Sequence, residues 1–395
     1  MNPKNALNSI VLTLVLVSLA FAGCKTAPNN TAGIHQLDLV SLKDNPVDLG
    51  LSKLAKEIEY IPLETRPDVL LGSVKCCLGK EWIYILSRDQ RVLLFNRSGK
   101  FVRTIGAQGK GPGEYIGARE IQISPDGTLI YLYSTPTNSC YVYKVTGEQY
   151  CHFELAYTAW RFARLSSGKH LMIAPYGDFT FTNEGKFLYY IQDSTGAVIR
   201  KYPSENIIRM LGNFSIGRFF ITTVSLLAYV PFSDTVFQVD KAGEMSPKYA
   251  LNFGKYRIPN EAHNDMGVLM QNQHQYITDI NLIETEPWLF VSCSFQNEAR
   301  VGFYAYDHSP VQSVQNTKGL IINDLDGGPN FFPAGSDGIK EVYSLLQPVD
   351  LFLQKKNGEF ENKKFSKNDA RKSFVKFMDT LKEDDNPVVV VVTLK

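Results

Sequence analysis

An all-β ring of six four-stranded antiparallel blades, a six-bladed β-propeller with short helical insertions, is the fold class that this 395-residue chain predicts. Three observations predict it. A hairpin phrase closing in Gly99, Gly147, Gly196 and Gly243 recurs at intervals of 48, 49 and 47 residues, which marks one supersecondary unit reused. Strand-like runs precede and follow each copy. Gly, Tyr and Phe number 29, 20 and 24, the usage of a β-rich chain with many turns. An apolar content of 44% suffices for a large core and argues against disorder as the main state. Forty-one basic against forty acidic side chains leave a formal charge of +1, so no global field exists to hold a nucleic-acid backbone.

The elements follow in chain order. Met1 to Ser9 is polar and lysine-containing, and Ile10 to Ala22 is an apolar run broken only by Thr13 and Ser18. That run is too short to span a bilayer as a helix and suits the core of a signal peptide. It ends in Leu19-Ala20-Phe21-Ala22-Gly23-Cys24, which resembles a bacterial lipobox, with Phe21 where Leu is more usual. Residues 1–23 are therefore expected to be a lipoprotein signal peptide and Cys24 the lipidated residue. Residues 24–36 are expected to be a flexible tether, Lys25 to Gly33 being rich in Pro, Asn and Thr. A single propeller domain is expected over 37–395.

The recurring phrases are Val92 to Gly99, Tyr141 to Gly147, Tyr189 to Gly196 and Val236 to Gly243, with a later fifth copy, Val301 to Asp307, ending in Ser309-Pro310. Ahead of them stand Trp82–Leu86, Leu129–Tyr133, His170–Ala174, Leu226–Val230 and Trp288–Ser292. Shorter runs such as Glu120–Ile123 lead in through turns such as Ser124-Pro125-Asp126-Gly127, and runs such as Lys100–Ile105 lead out. Four strands per unit is the content of a propeller blade, and radial repetition hides most sheet edges. The blades are expected near 72–105, 117–155, 161–202, 214–253 and 280–315, with an irregular sixth from about 319 to the end. In the sixth, strands are expected at Glu341–Leu345, Val349–Leu353 and Pro387–Leu394. Helical insertions are expected near 259–276 and 367–383. Ile58–Leu63 has no blade of its own, so it is predicted to pair with the C-terminal strands and close the ring.

This pattern resembles the six-bladed, NHL-like β-propeller lipoproteins of Bacteroidetes-type bacteria. The most specific shared words are Ile61-Pro62-Leu63-Glu64, Phe95-Asn96-Arg97-Ser98-Gly99-Lys100-Phe101, the stretch Ile105 to Tyr115, and Asp385-Asn386-Pro387-Val388. The resemblance covers nearly all of the mature chain. It implies the fold and a cell-envelope location, outer membrane or periplasm-facing, and little about chemistry.

In a four-stranded meander the loop between the second and third strands and the link to the next blade emerge on one face, because each strand reverses direction. That face is expected to hold any ligand, and its candidate residues are Arg88, Glu114, Tyr115, Arg119, Tyr176, Asp178 and Asp234. The glycine-rich stretch Gly106 to Tyr115 is not a Walker loop, since Gly109-Lys110 is followed by Gly111-Pro112 and no helix pattern begins. It reads as a structural loop. His263 and His274 on a straight helix would stand roughly 16 Å apart, which rules out a shared metal. Asn323 to Gly328 lacks the Glu of an EF-hand loop and reads as a turn. Arg161 and Arg164 beside Trp160 fit an exposed polar edge better than a site for an anionic or sugar ligand. No GxSxG elbow is present. Cys76, Cys77, Cys140, Cys151 and Cys293 are odd in number, show no metal spacing, and are expected to be buried structural thiols.

The expected function is a lipid-anchored, non-catalytic binding module for a peptide, glycan or partner protein, monomeric, without cofactor, metal or nucleic acid. The alternative is a metal-dependent hydrolase or lyase of the lactonase-like propeller class, with an axial divalent cation on Glu114, Asp178 and Asp234. A third reading is a purely structural subunit of an envelope complex.

Overall fold

Runs such as Val92-Leu93-Leu94-Phe95 are apolar at every position rather than at alternate ones, so the sheets that contain them must be covered on both faces. The computed structural model describes residues 33–44, 48–159, 161–173, 187–203, 218–222, 225–230, 233–259, 267, 271–296, 298–305, 310–314 and 320–395. The chain enters through β1 (His35–Asp38), helix α1 (Leu39–Asp44) and β2 (Ala55–Pro62). Blade 1 is β3 (Val74–Leu78), β4 (Trp82–Ser87), β5 (Val92–Asn96) and β6 (Phe101–Thr104). The link beyond it carries a short parallel pair, β7 (Ala107–Gln108) and β8 (Glu114–Tyr115). Blade 2 is β9 (Ala118–Ile123), β10 (Leu129–Ser134), β11 (Ser139–Lys144) and β12 (Gln149–Glu154). Blade 3 is β13 (Arg161–Arg164), β14 (His170–Ile173), β15 (Phe187–Gln192) and β16 (Val198–Pro203). Blade 4 is β17 (Arg218–Ile221), β18 (Leu226–Tyr229), β19 (Thr235–Val239) and β20 (Met245–Asn252). Blade 5 is β21 (Thr278–Glu284), β22 (Trp288–Phe295), β23 (Glu298–Ala305) and β24 (Pro310–Val314). Blade 6 begins with β25 (Gly335–Ser336) and β26 (Glu341–Leu346), passes through helices α2 (Pro348–Lys356) and α3 (Asn368–Thr380), and ends in β27 (Val388–Leu394).

The first strands of the blades, β3, β9, β13, β17, β21 and β25, touch one another in turn and β25 returns to β3. They form the inner wall of a closed six-bladed β-propeller. Six apolar clusters lie one between each pair of adjacent blades, including the sixth and the first. Tyrosine hydroxyls add polar stitches across the same seams. Tyr84 donates to the Gly127 carbonyl (3.0 Å), Tyr189 to that of Tyr229 (2.9 Å) and Tyr343 to that of Cys76. A buried phenol needs such a partner, and in a propeller the neighbouring blade's backbone is within reach.

The repeating glycine has a local cause. Gly99, Gly147, Gly196 and Gly243 occupy the turn between third and fourth strands at φ of +79°, +91°, +86° and +92°, a region that side chains disfavour. In three of the four turns an Asn or Asp three residues earlier folds its side chain onto the turn. Asn96, Asp193 and Asp240 each accept from two backbone N–H groups, two and four residues on.

Ring closure is as the sequence predicts: β2 pairs antiparallel with β27 from Pro62 opposite Val388 to Ala55 opposite Leu394, so the N-terminal strand is the outer strand of blade 6. The shared sequence words meet here. The Glu64 amide donates to the Gly99 carbonyl (2.8 Å) and its carboxylate accepts from the Phe101 amide (2.9 Å). Asn386 Oδ1 accepts from the Leu71 amide (2.7 Å), and its Nδ2 donates to the carbonyls of Glu64 (2.8 Å) and Val69 (2.6 Å).

The structure adds a feature that the hydropathy pattern does not contain. β1 pairs in parallel with β20 as a fifth, outermost strand of blade 4, beginning at His35, inside the stretch expected to be tether. The chain then straps blade 5 through α1, where Leu42 lies so close to Gly302 that a Cβ there would stand 2.2 Å from its Cδ2. It next reaches blade 6, where the Leu51 amide donates to the Ile322 carbonyl (2.8 Å) and Asp324 accepts from the Ser52 amide (2.7 Å) and hydroxyl (2.6 Å).

One expected strand is corrected. Val349–Leu353 lies in helix α2, because Pro348 at its first position presets helical φ and removes a donor that would be unsatisfied anyway. Asp350 in its first turn and Lys355 and Lys356 in its last suit the helix dipole. Leu351 is buried, while Val349 and Leu353, four residues apart, share the exposed face. Helix α3 falls where expected and seats Phe374 and Met378 in the core, with Phe377 stacked on Tyr60 at 5.0 Å. Of the other insertion, the described part is helical at residues 267, 271 and 272 and continues into a 3₁₀ turn at Gln273–Gln275 that holds His274, and His263 lies outside the described residues.

Two predictions follow from these seams. Asn386→Ala strands three backbone groups, that of Val69 buried and those of Glu64 and Leu71 half-buried, and is expected to lower unfolding free energy by roughly 2–4 kcal/mol in a denaturant titration; an unchanged midpoint would refute the closure role of this side chain. Glu284 bridges blades 4 and 5, accepting from Ser225, Tyr249 and Lys248. Burial pushes its pKa up, but these donors and the Lys248 charge outweigh burial and hold it below the ordinary 4.5. A depressed carboxylate stabilises the fold above its unfolded pKa and loses that contribution as pH falls through the folded one. The stability gap between wild type and Glu284→Gln is therefore expected to be constant above about pH 5 and to shrink below about pH 4.5. A gap independent of pH down to pH 3 would contradict the assignment.

Candidate ligand site at the axial mouth

The inner strands all start from the face that carries the links and the loops between second and third strands. Side chains on their leading residues ring the axial opening there. Among the described residues these include Lys75 on β3, Arg119 and Glu120 on β9, Arg161 on β13, Arg218 on β17 and Asp279 on β21, four cations against two carboxylates.

Both carboxylates sit against a guanidinium of an adjacent blade. Arg161 Nη1 lies 3.4 Å from Glu120 Oε1, and Arg218 Nη2 lies 3.1 Å from Asp279 Oδ1 while its Nη1 donates to the Ile280 carbonyl at 3.0 Å. Asp279 adopts φ +52° where the register of β21 shifts, a conformation rare for a non-glycine residue. Lys75 Nζ donates to the Arg119 carbonyl at 3.0 Å. Its pKa is lowered first by loss of hydration, which Glu120 opposes and Arg161 and Arg119 reinforce. The Glu120 carboxyl is raised by burial against the pull of Arg161 and Lys75. The Phe162 amide also lowers it by donating toward this carboxylate, whose Oε2 is closed to solvent.

The candidates named from sequence fall into three groups. Arg119 belongs to the mouth, and Arg88 is exposed on the loop between β4 and β5 of the same face. Glu114 and Tyr115 are turned inward. The Glu114 carboxylate accepts from the Gly111 amide at 2.7 Å, and the fully buried Tyr115 hydroxyl donates to the Gln90 carbonyl at 3.1 Å. Their work is to fasten the first link to blade 1, helped by Gln108 Nε2, which donates to the Asp89 carbonyl at 2.6 Å. Gly106, at φ +64°, lets this link pass across the Tyr143 ring, where a Cβ would come within 2.6 Å. Asp234 lies on the loop of blade 4, across the ring from Glu114, with Arg257 at 3.8 Å. Tyr176, Asp178, Trp160 and Cys24 lie outside the described residues. Arg164 is a seam residue, its Nε donating to the Tyr131 hydroxyl at 2.8 Å. Lys75 and Glu120 were not singled out as site residues; charges placed inside otherwise apolar first strands are the signal that marks them. Among the described residues, no group of three or more His, Cys, Asp or Glu side chains is placed to hold a metal.

With the geometry in hand, comparison with known proteins gives the family. The model of a domain of unknown function, DUF4934, matches residues 34–393, which takes in all six blades. The chain belongs to the DUF4934 family. Among solved structures, this DUF4934 chain is similar to a Bacteroides fragilis protein inferred to be exported, at 20% identity and a TM-score of 0.71, over 92% of this chain and 99% of that one. A member of the DUF4221 family from Bacteroides vulgatus aligns at 12% identity and a TM-score of 0.48, over 87% and 97% of the two chains. Virginiamycin B lyase from Staphylococcus aureus aligns at 11% identity and 0.40, over 73% and 81%. No curated protein matches the sequence. At these identities the likeness is one of fold.

The DUF4934 ring also sets the reactivity of its thiols. All five described cysteines are free; Cys76, Cys140 and Cys293 are buried, Cys77 is half-buried, and Cys151 alone of the five is exposed, on outer strand β12. Burial pushes Cys77 and Cys293 up to about 12 and raises Cys76 and Cys140 as well. A thiolate-specific reagent at pH 8 is expected to modify Cys151 first among these five, the rest reacting only on unfolding. Equally fast modification of Cys76 or Cys140 in the folded protein, mapped by mass spectrometry, would contradict this packing.

Proposed function

We propose that this chain is a lipid-anchored propeller of the cell envelope that captures a ligand at its axial mouth without transforming it. The ligand is a peptide, glycan or partner protein carrying negative charge. The observation that carries the reading is the mouth's makeup: among the described residues, Lys75, Arg119, Arg161 and Arg218 against Glu120 and Asp279 on the leading residues of the inner strands, with Lys75, Arg119 and Arg161 gathered near Glu120. An excess of cationic side chains at one end of the axis suits a ligand that brings negative charge. Rigid inner strands hold these groups in place, as a binding site requires. Arg88 on the same face extends the positive rim. Support for the envelope comes from the Ile10 to Ala22 run with Cys24 behind it and from the fold shared with a protein inferred to be exported. The NHL-like lipoprotein resemblance agrees with both.

Two measurements test the proposal. Labelled fatty acid is expected to enter the wild-type chain and to be absent from Cys24→Ala, which would leave the membrane fraction. On an array of acidic and neutral oligosaccharides and peptides, the purified ring should retain acidic members, and Lys75→Ala with Arg161→Ala should lose them by about tenfold or more. Retention of neutral members only would overturn the mouth as the site.

A further inference from the structure

Blade 6 holds a polar cluster that serves neither the mouth nor the seams between blades. It joins the loop ahead of β25 to the segment between α2 and α3. Backbone bonds fix the two stretches together: the Ser366 and Lys367 amides donate to the carbonyls of Asp324 (2.8 Å) and Leu325 (3.0 Å), and Arg371 donates to those of Asp326, Gly327 and Phe360. Beside these ties the Lys363 ammonium, half-buried near the Phe360 ring, donates to the Gly328 carbonyl at 2.8 Å and to Asn330 Oδ1 at 3.0 Å. The Asn323 amide donates to the same Oδ1 at 3.3 Å. A C=O bond of about 1.23 Å then puts Lys363 Nζ within about 4.2 Å of Asn330 Cγ. Asp326 grips the other end of the same glycine. Its Oδ1 accepts from the Gly328 amide (2.7 Å), Asn323 Nδ2 (2.6 Å) and the Tyr60 hydroxyl (3.3 Å), while its Oδ2 is closed to solvent and takes no hydrogen bond. Burial raises the Asp326 pKa, and lost hydration lowers that of Lys363 against the pull of Glu359 and Asp326. Both shifts favour a neutral amine beside a neutral acid.

We propose that Lys363 and Asn330 join in an intramolecular isopeptide bond, with Asp326 as the proton carrier. Asp326 takes one proton from the Lys363 ammonium, and the freed Nζ lone pair forms a bond to Asn330 Cγ as the C=O pair moves onto Oδ1. The Asn323 amide N–H holds that developing oxyanion. A second Nζ proton passes to Nδ2, the C=O re-forms, and the Cγ–Nδ2 bond breaks. Ammonia leaves and carries off the proton held by Asp326 as ammonium ion. One amide replaces another, nothing is oxidised or reduced, and no co-reactant is needed. Two reactants held this close by a fixed backbone gain the effective concentration that such a slow reaction requires. The bond would close a loop between residues 33 apart in a molecule whose five described cysteines are all free.

Tryptic mapping of the full-length protein tests this. The peptides holding Asn330 and Lys363 are expected to emerge joined, uncut at Lys363, and lighter than their sum by one ammonia. Separate peptides of full mass, or Asn330 hydrolysed to aspartate, would overturn the bond. Lys363→Arg keeps the charge and the donors but lacks a nucleophilic amine, so its peptides should stay separate and unchanged. Loss of ammonia from the Asn330 peptide of that variant would mean a succinimide and would likewise overturn the assignment. Asp326→Asn keeps shape but carries no proton, and full cross-linking there would remove Asp326 from the reaction. A cooperative melting transition shows that each variant is folded, and the wild-type map decides the bond should one of them fail to fold.

Discussion

A sheet that is apolar on both faces is stable only between two others, and this single constraint organises the molecule. Each blade buries one face on its predecessor and one on its successor, so a row of such blades has two raw ends until it closes on itself. Here six apolar clusters serve six seams, and the last seam is made possible by β2, a strand supplied from the other end of the chain. Hydrogen bonding follows the same logic. Asn386 spans the point where blade 6 meets blade 1 and bonds to three backbone groups that closure would otherwise leave unpaired.

Much of this is legible in the residues because the repeat is local physics. An Asn or Asp followed three residues later by a positive-φ glycine ends a third strand and begins a fourth, and the phrase can be read wherever it recurs. The words shared with the lipoprotein resemblance turn out to be closure words: Glu64, Gly99 and Asn386 meet at the seam rather than at a ligand site. Two elements were not legible as they fold. Val349 to Leu353 alternates like a strand, yet Pro348 and the charges at its ends decide for a helix. β1 is a four-residue strand whose partner lies some two hundred residues away, and nothing in so short a run announces a parallel pairing.

The site is harder to read than the fold, for a geometric reason. Strand periodicity sorts residues into a buried and a solvent face, but the inner strand of a propeller borders a third environment, the axial hole. Lys75 and Glu120 lie there, dehydrated enough to shift both of their pKa values without being buried in apolar core. Glu114 and Tyr115, by contrast, sit in a polar, glycine-rich loop that looks like a ligand loop, and they spend their polar atoms on their own backbone and on blade 1. A polar loop residue is a recognition group only when its hydrogen-bonding capacity is left over.

The entry of the chain at blade 4 has a mechanical consequence. β1 runs parallel to β20 with four residues in register, from His35 opposite Tyr249 to Asp38 opposite Asn252. A force drawn along that strand from the amino terminus is shared by the ladder as shear instead of peeling it one bond at a time. Behind it, Leu42 locked over Gly302 and Ser52 held by Asp324 act as successive stops before any pull could reach β2. A ring built this way can be pulled from its amino-terminal end while its rim stays shut.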